Sequence, residues 1–311
     1  VYFSDPSGPA AQTLRGGPDA ALAAAIEAAS QSVDMAVYDL DLWSVRDALL
    51  HARQRGVKVR LVTESDNIGN EEVQELKDAG IPVLGDRREG LMHDKFVVID
   101  GREVWSGSMN YTVNDAYKNN NNLIRIRSTR LADDYSTEFE EMFTDDQFGP
   151  GSPANTPYPD LTVSGTRLEV YFSPDDGVAE HIVALIQGAK QSISFLAYSF
   201  TSDDIASAML EKAREGVTVS GVVESSQVSA DLGDEFDNLH RAGVDVRLDG
   251  NPHNMHHKVI IIDGQIVVTG SYNFSASAEE KNDENALVIY NPDIASKFMA
   301  EYRRVFGEAQ R

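Results

Sequence analysis

Two hydrophobic rhythms alternate along the second half of the chain. Residues 192–197 form a mostly apolar run of strand length, and 203–215 then place Ile205, Ala208, Met209 and Ala213 on one helical stripe. Ser202 or Asp203 is a suitable N-cap, and Gly216 a C-terminal stop. The pattern goes on through a strand over 217–223, a helix over 234–242 and a strand over 244–248. Apolar runs at 258–262 and 265–269 flank Asp263-Gly264, a tight-turn signal. A last helical stretch covers 292–306. This alternation predicts an α/β fold with helices covering a mostly parallel or mixed sheet.

The first half repeats the second. Val1-Tyr2-Phe3-Ser4 recurs as Val170-Tyr171-Phe172-Ser173, residues 26–64 align without a gap to 186–224, and 92–126 align to 255–289. Three blocks in the same order mark an internal duplication. It predicts two homologous α/β/α sandwich halves, 1–147 and 167–311, related by a pseudo-twofold axis. The Pro-, Gly- and Ser-rich residues 148–166 read as the linker. Extra residues of the first half, around 6–18, read as a surface loop.

Composition narrows the chemistry. Of 311 residues none is cysteine, which excludes disulfides, thiolate metal sites and a cysteine nucleophile. No run approaches the roughly 18 apolar residues of a membrane span, so a soluble chain without stable membrane insertion is expected. The start at Val1 leaves open a removed signal peptide, with secretion or periplasmic export, or a trimmed start; compartment is not fixed. With 50 acidic and 27 basic residues the net charge is −23, so an anionic substrate must be held by a local basic pocket.

Such a pocket is written twice. His93-Asp94-Lys95 with Asp100, and His256-His257-Lys258 with Asp263, share the pattern His, any residue, Lys, four residues, Asp. Each is followed by Gly-Ser-x-Asn, which supplies Ser108 and Asn110 in one half and Ser271 and Asn273 in the other. Residues two apart on a strand share a face, so each His and Lys project together beside an Asn. These paired motifs resemble the HKD motifs of the phospholipase D superfamily, over nearly the whole chain. The second copy is most similar to the compact bacterial endonucleases of that superfamily, which carry one motif per subunit and dimerise. This chain looks like a fused version, a monomer with a pseudo-dimeric site.

A phosphodiester repels nucleophiles; two lysines and two asparagines offset and orient its charge. One imidazole attacks phosphorus, the other protonates the leaving oxygen, and water then hydrolyses the phosphohistidine. That double displacement needs no metal or cofactor, and the resemblance implies the same. It also implies that an acid or amide after each motif serves the opposite histidine: Glu284 would orient His93, and Asn121 would orient His256. A carboxylate on Nδ1–H makes the other ring nitrogen more electron-rich, which favours His93 as nucleophile and His256 as general acid. The resemblance to tyrosyl-DNA phosphodiesterases points the same way.

Other polar residues carry weaker expectations. Asp100 and Asp263, each before a glycine, read as turn-forming supports, and Ser108 and Ser271 as either scaffold or phosphate contacts. His257 should face away from His256. His51, His181 and His240 read as surface residues and His253 as a rim candidate. Tyr38 and Tyr198 are open between cleft and core. The leading substrate is a DNA or RNA strand, single strands favoured, with Lys118, Lys281, Arg125 and Arg127 as backbone contacts or solvated charge. Phospholipid phosphodiesters are the alternative, with Trp43 and Trp105 as interfacial candidates. A non-catalytic binding module is the third class; degenerate relatives usually lose a His or Lys, and this chain has lost neither.

Overall fold

The computed structural model describes residues 1–230 and 233–310. The first half runs β1 (Tyr2–Phe3), α1 (Pro9–Thr13), α2 (Pro18–Glu27), β2 (Ser32–Val37), α3 (Trp43–Gln54) and β3 (Lys58–Thr63). It continues with α4 (Glu71–Asp78), β4 (Val83–Gly85), β5 (Lys95–Ile99), β6 (Glu103–Gly107), α5 (Val113–Tyr117), β7 (Asn122–Arg127) and α6 (Thr129–Phe143). The second half begins at β8 (Asp160–Val163) and β9 (Thr166–Ser173), then α7 (Val178–Gly188), β10 (Ser192–Ala197), α8 (Asp203–Arg214) and β11 (Thr218–Val223). After α9 (Ser225–Ala230), α10 (Phe236–Arg241) and β12 (Asp245–Leu248) come β13 (Lys258–Ile262), β14 (Ile266–Gly270), α11 (Ala276–Glu280), β15 (Glu284–Tyr290) and α12 (Pro292–Glu308).

The two sheets have matching topology, as the duplication predicts. One is ordered β1-β7-β6-β5-β2-β3-β4, the other β8-β9-β15-β14-β13-β10-β11-β12. In each, three parallel strands join an antiparallel meander where β5 lies against β2 and β13 against β10. That junction is the place where Lys95 pairs with Val37 and Lys258 with Ala197, so both motifs open at the C-terminal ends of β2 and β10.

Outer helices cover one face of each sheet, around Leu22, Val45 and Leu49 in the first half and Ile182, Ile205 and Met209 in the second. The inner faces share one core. Tyr135 and Phe139 of α6 and Phe298 and Tyr302 of α12 pack there with Phe96, Phe172, Leu196 and Val259 from both sheets. Burial of these large side chains, worth about 1.5–3 kcal/mol each, welds the halves into a continuous apolar body.

Two sequence expectations are corrected. Within 148–166, expected to be a plain linker, Phe148 is buried and β8 pairs antiparallel with β9, because Leu161 alternates inward and covers an exposed strand edge. Residues 6–18 are not a bare loop either: α1 starts on a proline at its first turn, a position that tolerates the missing N–H.

The repeats diverge in charge around the central helices. In the second half His257 Nε2 lies 3.1 Å from Glu301, which also pairs with Arg304 at 2.6 Å. At the same 163-residue offset the first half has Asp94, Glu138 and Glu141. Burial, then the neighbouring Asp94, Asp283, Asp175 and Glu141, pushes the Glu138 carboxyl well up, and burial pushes Asp175 and Glu141 up to about 7. A carboxyl raised in this way stabilises the fold fully below its unfolded-state pKa near 4, and the contribution is lost as pH rises through the folded value. Glu138→Gln should therefore raise Tm by several degrees at pH 8 and change it little at pH 5. Calorimetry across that range checks it, and an equal effect at both pH values would contradict it.

Candidate active site

Two backbone bridges cross between the halves and set the site. Met92 pairs with Asp283, with His93 N–H donating to Asp283 O at 3.0 Å. The repeat-related bridge joins Asn120 to Met255, with His256 N–H donating to Asn120 O at 2.9 Å. Each bridge delivers the next residue of one half to the imidazole of the other. Glu284 Oε2 comes to 3.1 Å from His93 Nδ1, and Asn121 Oδ1 accepts His256 Nδ1–H at 3.0 Å. The His256 pair is aligned as a hydrogen bond; at His93 the carboxylate is close without that alignment, and Nδ1 has no hydrogen-bonded partner.

His93 and His256 line one cavity of about 440 Å³, together with Asn110 and Asn273. Both asparagine Oδ1 atoms lack a hydrogen-bond partner. Tyr38 and Tyr198 also line the cavity, edge-on to His93 and His256 at 5.1 and 4.5 Å. That resolves the choice between cleft and core for the two tyrosines. Lys95 and Lys258 lie beneath; each Nζ donates to the carbonyl of its own motif histidine, at 2.6 and 2.9 Å. The HxK spacing thus places ammonium and imidazole together at each strand mouth.

The electrostatics follow from burial. Both imidazoles are held well below the usual histidine range by burial, then by the two lysines. A neutral His93 is what a nitrogen nucleophile requires, whereas an acid at His256 has to take up a second proton against the same bias. Burial lowers Lys95 to about 8, although Glu284 and Asp115 act against it, and burial, then the neighbouring Lys95, holds Lys258 well below the usual lysine range. Burial also raises Glu284 to about 7.

Several supporting residues were not picked out from the sequence. Glu64 and Glu224 accept the N–H groups of Met92 and Met255 at 3.0 and 2.7 Å, fixing the residue before each histidine. Their only sequence signal is their repeat-equivalent position at the ends of the aligned blocks. Asp115 lines the cavity with one oxygen 3.5 Å from His256 Nδ1. Gly107 and Gly270, at φ +151° and +150°, bring β6 and β14 so near Asn122 O and Asn285 O that any Cβ would collide.

The remaining expected residues lie outside the cavity. Ser108 and Ser271 are fully buried scaffold: Ser108 Oγ donates to Asn121 Oδ1 at 2.8 Å, and Ser271 Oγ accepts Asn285 N–H at 2.9 Å. Asp100 gathers the N–H groups of Ser30, Gln31 and Ser32, and Asp263 those of Lys190, Gln191 and Ser192, at the far ends of β5 and β13. His257 faces away, between Asn122 and Glu301. His51, His181, His240 and His253 are exposed. Arg125 and Arg127 are held by Glu103. Trp105 is buried against Tyr2 with its N–H on Glu103, so it is not interfacial.

Comparisons with known proteins agree with this architecture. The family model described as "Cardiolipin synthase, PLD-like domain" matches residues 22–143 and 182–306. A phospholipase D of Rickettsia bellii is 31% identical over 172 residues, covering 54% of this chain and 83% of that protein. Among solved structures, the phospholipase D family member Nuc of Salmonella typhimurium is 33% identical, covers 47% of this chain and 97% of its own, and has a TM-score of 0.42. The phosphatidylserine synthase of Haemophilus influenzae Rd KW20 is 14% identical, covers 95% of this chain and 86% of its own, and has a TM-score of 0.73, a likeness of fold. No helix among the described residues is long and apolar enough to cross a membrane. With the family model matched in both halves, the chain belongs to the phospholipase D superfamily of phosphodiesterases.

Proposed function

We propose that this protein is a metal-independent nuclease that hydrolyses DNA or RNA strands, single strands favoured, through a covalent phosphohistidine. One observation carries the reading: two imidazoles from separate halves face a single cavity above two buried lysines. His93 Nε2 attacks phosphorus while the bond to the leaving oxygen breaks, and His256 gives that oxygen its Nε2 proton. Water then adds to phosphorus, His256 takes the water's proton, and the P–N bond breaks. Lys95 and Lys258 supply the positive charge that a metal ion would otherwise bring to the phosphoryl oxygens, with Asn110 and Asn273 positioned to orient them. Glu284, the carboxylate nearer its imidazole, favours His93 as the nucleophile.

The choice of a nucleic-acid strand rests on the cavity walls. Beyond the histidines they carry amides and hydroxyls, among them Gln227, Asn254, Ser275 and Ser277, with the two tyrosine rings. Such walls suit a sugar–phosphate backbone with bases stacked on aromatic faces. Lys118 adjoins the cavity residue Asn119 in the chain, and Lys281 holds the repeat-equivalent position. A second reading, phospholipid phosphodiesters, draws on the exposed Trp43 and Leu14, with Arg15 over the Trp43 ring at 5.4 Å, and on the name of the Rickettsia relative.

His93→Ala should lower turnover of bis(p-nitrophenyl) phosphate by about 10³-fold or more. Excess EDTA should leave the wild-type rate unchanged. Wild-type rates in the variant would remove His93 as nucleophile, and EDTA inhibition reversed by a divalent cation would remove metal independence. Side-by-side rates on single-stranded DNA, RNA, duplex DNA and phosphatidylcholine vesicles test the substrate. Strand cleavage with single strands fastest is expected; cleavage of lipid alone would overturn the choice.

A further inference from the structure

The two imidazoles are not served by equivalent residues, yet each has a carboxylate in nearly the same place. Glu284 accepts the Asn273 N–H at 3.0 Å and the Asn282 side-chain amide at 3.1 Å. Under the 163-residue repeat those donors correspond to Asn110 and Asn119, and it is Asp115 that accepts from both, at 2.7 and 2.5 Å. Asn121, the residue aligned with Glu284, is an amide, and Ala278, aligned with Asp115, has no polar side chain. The carboxylate has thus moved from a strand position in the second half to helix α5 in the first while keeping the same hydrogen-bond donors.

We infer that Asp115 is the positioning residue of His256, supplying through space the negative charge that Asn121 lacks. Asn121 Oδ1 fixes the ring by accepting Nδ1–H at 3.0 Å, and Asp115 Oδ2 stands behind it at 3.5 Å. A general acid must carry a second proton at Nε2, which makes the ring an imidazolium. Around His256, burial first and then Lys258, Lys95 and the two other imidazoles, His93 and His257, oppose that charge. Asp115 is the carboxylate placed within ion-pair reach to offset them. Glu284 does the corresponding service for His93, so each half lends the other one acid by a different route.

This inference rests on the proposed role of His256 as general acid, and two readouts keep the claims apart. The first compares kcat for a p-nitrophenyl ester of thymidine 5′-phosphate, a good leaving group, with kcat for thymidylyl-thymidine, a poor one. Asp115→Asn should slow the dinucleotide by about tenfold more than the aryl ester. The second follows the His256 ring by ¹⁵N NMR, where Asp115→Asn should lower its pKa and move His93 less. The double variant Asp115→Ala/Asn121→Glu, which rebuilds the Glu284 arrangement, should recover the dinucleotide rate and the His256 pKa. An unmoved His256 titration, or a double variant that folds with wild-type Tm and recovers neither property, would overturn the inference about Asp115. A shifted titration in Asp115→Asn with the leaving-group effect seen only in Glu284→Gln would uphold it and reverse the acid and nucleophile assignment instead.

Discussion

His93 and His256 each take their backbone position from the opposite half, through an N–H donated to Asp283 O or Asn120 O. Those two bonds join buried residues, and they repeat about the pseudo-twofold axis. They fix register to a single residue, so that the next side chain, Glu284 or Asn121, meets the imidazole. A slip by one residue would turn that side chain to the other face and leave the ring without its partner. The shared core of α6 and α12 holds the bridges closed, since neither half can move without exposing aromatic side chains packed against both sheets.

That clamp permits charge to be buried where water would otherwise screen it. Two ammonium groups, two imidazoles and the carboxylates of Glu284 and Asp115 sit almost out of solvent. Removing such groups from water costs several kcal/mol per ion, which near-neutral pairing and tight hydrogen bonding must offset. The balance is reached differently in the two halves. Below the second motif it is closed by His257, Glu301 and Arg304; below the first, the stacked carboxyls Asp94, Glu138 and Glu141 are relieved by raised pKa values. A duplicated frame has therefore kept its geometry while its charges diverged.

Much of this was legible in the chain because duplication prints a site twice. The alternation of strand and helix and the His-x-Lys spacing follow from residues at matching offsets, while the cross-serving Glu284 is what the family resemblance implies. Asp115 was not legible, because it replaces a residue six positions away in the alignment and only three dimensions show that both carboxylates take the same donors. β8 hid in a Pro- and Gly-rich stretch, its four residues too few to raise a periodic signal. Trp105 suggested an interface, but pairing of β1 with β7 brings Tyr2 onto its ring and seals it. The acidic layer was missed because its members come from separate segments that meet only in the fold.

The central claim is that two imidazoles act in turn on one phosphorus, with the covalent bond formed at residue 93. Mixing His256→Ala with a p-nitrophenyl phosphodiester, quenching in base and mapping the peptides by mass spectrometry reads that bond directly. Accumulation of an acid-labile phosphoryl adduct on His93 is the predicted result. Release of p-nitrophenol with no adduct, or an adduct mapped to any other residue, would contradict the account.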